Sequence, residues 1–254
     1  MKFSIIGSGN VAYHFAAMWG EQGHLLQQVV ARNKQNAQQL ADAHHAECID
    51  AVKSIRTDID CVLIAVNDDA IHEVSKQLSP ELFAIHTSGF TGMDVLTQQR
   101  KGVIWPVMSL TKNNPTDYSI IPFLIEASGA EELDKIKNWM SKVSKNIIQT
   151  TSEGRRTAHL AATISNNFSN ALLDIAHQQL TGQQLSLQLL LPMLSAQLKK
   201  LEQHRPSEIQ TGPSRRGDMM VIQTHLDMLR DSDAQEVYEV LSNYLLNKYH
   251  GKKL

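Results

Sequence analysis

Residues 2–12, KFSIIGSGNVA, constrain the fold more than any other stretch of the chain. Residues 3–6 are a short apolar run, residues 7–12 read Gly-Ser-Gly-Asn-Val-Ala, and apolar residues then recur at helical spacing. The order is strand, tight turn, helix, which is how a dinucleotide-binding fold begins. Gly7 permits the turn, Gly9 lets the backbone come close to a pyrophosphate, and Ala12 stands where a small residue lets helix and strand pack closely. Phosphates would then meet unpaired N–H groups at the positive end of the helix dipole. A glycine turn with a purely structural task is the alternative, and the strand-to-helix context favours the dinucleotide.

A net charge of -2 argues against nucleic acid or an anionic membrane as the main partner, and a 42% apolar content is that of an ordinary globular chain. Lys2 leads straight into the first strand, so no signal segment is read, and no apolar run is long enough to span a bilayer. A cytoplasmic protein is expected. Cys48 and Cys61 fall in different elements and read as reduced thiols. His44, His45 and Cys48 lie close in sequence but lack a fourth ligand, so no metal site is expected.

After a first helix over 11–22, the run LLQQVVA at 25–31 reads as a second strand. Its tip selects the cofactor. NAD calls for a carboxylate there to bond the ribose 2′-OH, whereas this chain has Ala31, Arg32, Asn33 and Lys34. The choice falls on NADP (NADPH), with Arg32 clamping the 2′-phosphate through its planar fork, against the alternative of a solvated arginine. A helix over 36–44 follows. Residues 61–66, CVLIAV, are too short for a helix and suit a parallel strand buried on both faces. A helix over 70–78, strands over 83–85, 103–108, 123–125 and 146–149, and a helix over 131–143 complete an alternating α/β pattern. Composition changes at 150–154, which sets domains at 1–153 and 154–254. The second domain reads as all helix: 155–180, 185–202 with a bend at Pro192, 218–229 and 234–249.

On the first of those helices, His159, Thr163, Asn166 and Asn170 share one narrow stripe at 100° per residue. Leu160, Ile164, Phe168, Ala171 and Ile175 form the opposite face. A stripe of Asn and Thr without Lys, Arg, Asp or Glu suits a polar cleft, or a network of hydrogen bonds between helices, better than open water. His86 and Ser88 follow a strand at the edge where ligands bind in open α/β sheets. Histidine suits proton transfer near neutrality, so His159 is the first choice for acid–base work and His86 the second. Either could instead bond a backbone group. His14, among others, has no such context. The loop 211–218, TGPSRRGD, offers Arg215 and Arg216 as an anion clamp or as surface ion-pair donors, and Asp218 as a helix cap.

Taken together, GSGNVA at 7–12, AVND at 65–68, HTSG at 86–89, HLAATISNN at 159–167 and GPSRRGD at 212–218 give the chain its resemblance to a known family. These are NADP-dependent oxidoreductases in which a Rossmann-like domain precedes a helical domain of unknown function. The architecture is also similar to that of pyrroline-5-carboxylate reductases and β-hydroxyacid dehydrogenases. The resemblance implies a Rossmann-type doubly wound, mostly parallel sheet followed by a smaller all-α domain. It further implies NADP on Gly7, Ser8, Gly9, Asn10 and Val11, with Val66 and Asn67 beside it. A substrate cleft would lie near His86, Ser88, His159, Asn166 and Arg216, and a homodimer would form through the C-terminal helices. Where the β-hydroxyacid dehydrogenases carry a catalytic Lys and then an Asn, this chain has His159, Thr163 and Asn167, so their acid–base mechanism does not transfer intact.

The function expected is hydride transfer between nicotinamide and a small carbonyl, imine or alcohol. Asn166 would orient the substrate, with Asn167 beside it, and Arg216 would hold an anionic group. The alternative is a non-catalytic NADP-binding sensor or regulatory protein, and a deazaflavin in place of nicotinamide is a variant of the first reading.

Overall fold

A computed structural model describes residues 1–112 and 114–254, and packing divides the chain into units 1–166 and 167–254. In the first unit, eight strands build one sheet: β1 (Lys2–Ile6), β2 (Leu25–Val30), β3 (Glu47–Cys48), β4 (Cys61–Ile64), β5 (Ala84–His86), β6 (Lys101–Pro106), β7 (Phe123–Ala127) and β8 (Ile147–Gln149). Their order is β3-β2-β1-β4-β5-β6-β7-β8. Every neighbouring pair is parallel except β6 and β7. The chain leaves β1 toward one edge and returns at β4 toward the other. That reversal of direction opens a crevice at the carboxyl ends of β1 and β4. The doubly wound α/β fold expected from the sequence is the one observed.

Helices α1 (Asn10–Glu21), α2 (Lys34–Ala43), α3 (Ile71–Ser75) and α4 (Ala130–Met140) join the strands. Strand residues alternate between the two faces of the sheet, and the burial follows that alternation. Ile5, Leu63 and Ile85 join one core with Phe15 and Trp19, while Ile6, Val62, Ile64 and Ala84 join another with Ile71 and Leu78. Trp19 meets Phe3 and Phe15 edge to face at 4.9 and 5.1 Å. β4 is buried along its whole length, which is why its sequence is a continuous apolar run. β3 was not anticipated, because two residues carry no alternation to read.

The expected helix over 155–180 is three pieces: α5 (Ser152–Ala162), a π-helical turn at Thr163–Phe168, and α6 (Ser169–Thr181). Packing places α5 with the first unit, so the division falls after Asn166, beyond the change in composition at 150–154. A π turn bonds i to i+5 and adds a residue per turn, so the stripe computed at 100° per residue does not continue unbroken from Thr163 to Asn170. Such turns recur at functional sites.

The second unit holds α6, α7 (Leu191–Leu201), α8 (Pro213–Arg216), α9 (Met219–Met228) and α10 (Asp233–His250). Pro192 does not bend a helix here. A 3-10 turn at Leu187–Leu190 precedes it, and it stands in the first turn of α7, where its missing N–H removes no intrahelical bond. The expected loop 211–218 contains the one-turn α8, and Asp218 caps α9 by accepting from the Val221 N–H. Ile222, Leu226 and Leu246 form the unit's buried core with Tyr238, whose hydroxyl lies 2.8 Å from His225 Nδ1. Leu189, Leu191, Met193 and Leu198 are exposed, a surface that the homodimer expected from the sequence would cover. Among the described residues, no helix is long and apolar enough to cross a membrane.

Candidate functional site

The turn after β1 requires Gly7. Its φ is +120°, its N–H donates to the Val30 carbonyl at 2.8 Å, and a Cβ there would lie 2.1 Å from the Ala65 carbonyl oxygen. Gly9 differs, since a Cβ on it would meet nothing within 4 Å. The protein's own packing therefore does not require glycine at position 9. The space in front of it is open, which fits the close approach of a dinucleotide's diphosphate. α1 starts at Asn10 with no capping side chain and no acidic residue in its first turn, which leaves its N–H groups and dipole to an anion. Ser8 and Ala12 are buried and Val11 is half-buried, while Gly9 and Asn10 are exposed.

At the tip of β2 the two cations differ in what holds them. Lys34 pairs with Asp50 at 2.6 Å, whereas exposed Arg32 has no hydrogen bond or ion pair among the described residues. Asn33 is used as the cap of α2, accepting from the Asn36 N–H at 3.0 Å. None of residues 31–34 is itself a carboxylate, and the Asp50 carboxylate that reaches this tip is paired with Lys34. After β4, Val66 is half-buried and Asn67 exposed.

The loop after β5 is held from within. Ser88 Oγ donates to Asp68 Oδ2 at 2.8 Å and accepts from the N–H groups of Phe90 and Thr91 at 3.1 and 2.9 Å, so its hydroxyl is committed to the loop. His86 is fully buried, and its Nδ1 accepts from the Ser88 N–H at 3.2 Å, which places the ring proton on Nε2. Burial, with the nearby Arg155 guanidinium, pushes its pKa down to about 3, against weaker pulls from the Gly92 backbone and Asp94. The sequence suggests an imidazole that exchanges protons near neutrality, whereas His86 is a neutral ring in the core. The unfolded chain takes up this proton below the ordinary 6.5 and the folded chain does not, so stability falls as pH drops from 6.5 toward 3. The expected loss is about 2 kcal/mol at pH 5. Urea midpoints across that range should show it, and the His86→Gln variant should lack that component; identical slopes for the two proteins would contradict the assignment.

Arg155 holds this loop in place, and sequence reasoning passed over it. It is fully buried in the first turns of α5. Nη1 donates to the carbonyls of Ser88 at 3.0 Å and Thr91 at 2.7 Å, and Nη2 to Glu126 on β7 at 3.0 Å and Ser152 at 3.2 Å. Ser152 in turn donates to Glu126 and accepts from the Met93 N–H. A cation so near a helix N-terminus opposes the helix dipole, which was the one available signal of a special task.

One turn further along α5, half-buried His159 leans on Trp105 and Phe90, with ring centroids 5.6 and 6.3 Å away. Gly89 makes room for it, since a Cβ there would lie 2.6 Å from both His159 Cδ2 and Trp105 Cε2. Neither ring nitrogen has a hydrogen-bond partner among the described residues. The first unit thus gathers Gly7 to Val11, Arg32, Val66, Asn67, His86, Ser88 and His159. Exposed Asn166 ends that unit. Exposed Asn167 and Arg216 belong to the second, where Arg216 lies 4.0 Å from Asp218, while Arg215 stacks on Tyr249 at 4.2 Å. Among the described residues, no group of three or more His, Cys, Asp or Glu could hold a metal ion.

Residues 1–86 match the model of an oxidoreductase family with an NAD-binding Rossmann fold, and residues 121–245 match a domain of unknown function, DUF2520. No curated protein matches. Among solved structures, the chain is similar to a "putative NADP oxidoreductase" from Bacteroides fragilis, with 29% identity over 97% of this chain and 98% of that one and a TM-score of 0.87. It shares its fold with a 1-pyrroline-5-carboxylate reductase from Streptococcus pyogenes, at 12% identity over 99% of each chain and a TM-score of 0.66. An imine reductase from Myxococcus stipitatus in complex with NADP+ has that fold too, at 12% identity over 99% of this chain and 93% of that one, with a TM-score of 0.64. The chain is therefore similar over residues 1–86 to the oxidoreductase family with an NAD-binding Rossmann fold, and over residues 121–245 to DUF2520.

Proposed function

We propose that this protein is an NADP-dependent oxidoreductase acting on a small carbonyl, imine or alcohol. The observation that carries the reading is the pairing of an open glycine turn at Gly9 with an Arg32 that has no ion pair among the described residues, on a strand tip whose own residues 31–34 include no carboxylate. When bound, the nicotinamide supplies the hydride chemistry, and the protein supplies position and electrostatics. The N–H groups at the start of α1 hold the diphosphate, and Arg32 forks onto the 2′-phosphate. His159 exchanges a proton with the substrate oxygen or nitrogen through a ring nitrogen that no protein group occupies among the described residues. His86, neutral and buried, fixes the backbone of the loop on which His159 rests. Asn166, in the same unit, orients the substrate.

The test is a calorimetric titration of wild type and Arg32→Ala with NADPH and NADH in parallel. Wild type is expected to prefer NADPH, and the substitution to weaken NADPH about tenfold or more while leaving NADH unchanged, which is the worth of a charge-assisted contact. Binding of neither nucleotide by wild type would remove the foundation of the reading. Equal loss for both would remove Arg32 from the 2′-phosphate.

A further inference from the structure

The connection from β6 to β7 has no part in the function proposed above, yet it reaches the glycine turn. It is fastened to α1 through His14, which is buried between its two anchor points. One ring nitrogen lies 3.1 Å from the Thr111 carbonyl and must donate to it, so the other accepts from the Tyr118 hydroxyl at 2.9 Å. Between those anchors, Lys112 extends its ammonium to the Ser8 carbonyl at 2.9 Å, with the Tyr13 ring 6.0 Å away.

The electrostatics of this placement are incomplete. Ser8 lies between Gly7 and Gly9, immediately before α1, so the ammonium stands beside the positive end of a helix dipole. Lys112 has no carboxylate within ion-pair distance among the described residues, and α1 has none in its first turn. A neutral carbonyl and a distant ring are weak compensation for the rotamer entropy lost when a long side chain is held in one conformation. Two positive poles brought together across the fold by His14 and Tyr118 become favourable once an anion lies between them.

We propose that Lys112 is a further ligand of the dinucleotide's diphosphate, delivered by the β6–β7 connection. The proposal rests on the dinucleotide reading of the glycine turn. In it, the ammonium exchanges the Ser8 carbonyl for a phosphate oxygen when the nucleotide binds. Arg32 and Lys112 then divide the work: Arg32 distinguishes NADPH from NADH, and Lys112 acts on the diphosphate that both share.

The experiment measures dissociation constants of NADPH and NADH for wild type, Lys112→Gln and Lys112→Arg, at low and at physiological salt. Lys112→Gln should weaken both nucleotides about tenfold with their ratio unchanged. It should also flatten the salt dependence, and Lys112→Arg should recover most of the affinity. Unchanged affinity in Lys112→Gln, with wild type binding normally, overturns the proposal and leaves the cofactor reading intact. A loss confined to NADPH overturns it as well, by moving the charge to the 2′-phosphate. Absence of nucleotide binding by wild type would instead mean that the underlying reading has failed, and the proposal with it.

Discussion

Arg155→Met is expected to destabilise the protein by about 3–5 kcal/mol, the cost of breaking a buried ion pair from one side. The guanidinium is fully buried and joins α5 to the carbonyls of Ser88 and Thr91 and to the Glu126 carboxylate. Methionine fills much of the volume but donates nothing. It leaves Glu126 with the Ser152 hydroxyl, and the carbonyls of Ser88, Gly89 and Thr91 without the guanidinium. Urea unfolding should show the loss as a lowered midpoint. Adding Glu126→Gln should restore part of it, because the second substitution removes the stranded charge, and the cycle isolates the pair. A loss below about 1 kcal/mol would mean that water or a shifted side chain replaces the guanidinium, as for an exposed pair.

His159→Ala is expected to lower turnover by 10²–10⁴, the range for removing a general acid or base, while leaving the dissociation constant for NADPH unchanged. Its ring packs at a tilt against Trp105 and Phe90, and both its nitrogens are unoccupied by protein among the described residues. Such a ring is fixed in place yet chemically available. A metabolite panel assayed by NADPH oxidation supplies the substrate, and the variant is then compared on it. Unchanged turnover would take His159 out of the mechanism. Silence of wild type across the panel, together with NADPH-dependent capture of a partner, would favour the sensor reading instead.

Much of the fold was legible because its signals are local. The glycine turn, the apolar run of β4 and the Asp218 cap each depend on neighbours a few residues away. β3 was too short to carry a pattern. The π turn at Thr163–Phe168 was missed because periodicity assumes α geometry throughout, and Pro192 marks the start of α7 where a break in a longer helix was read. At the site, residue type gave candidates without their surroundings. His86 and His159 look alike in sequence. One is sealed in the core with its pKa pushed to about 3, and the other is half-buried and packed against Gly89. Arg155 and Lys112 were passed over because their partners, Glu126 and Ser8, lie far away along the chain. No spacing rule connects such pairs.

The single antiparallel pairing in the sheet has a consequence for how this protein can diversify. A parallel crossover would have carried the chain back to the amino edge before the next strand. Because β7 runs against β6, with Phe123 opposite Pro106, the segment joining them stays at the carboxyl edge, beside the glycine turn. Leu110, Tyr118 and Ile121 pin this segment to the core, so its exposed positions are the ones that can change without disturbing the strands. With a nucleotide at the glycine turn, as proposed above, substitutions at those exposed positions would reshape its surroundings, so this is the segment in which an engineer would vary cofactor affinity first.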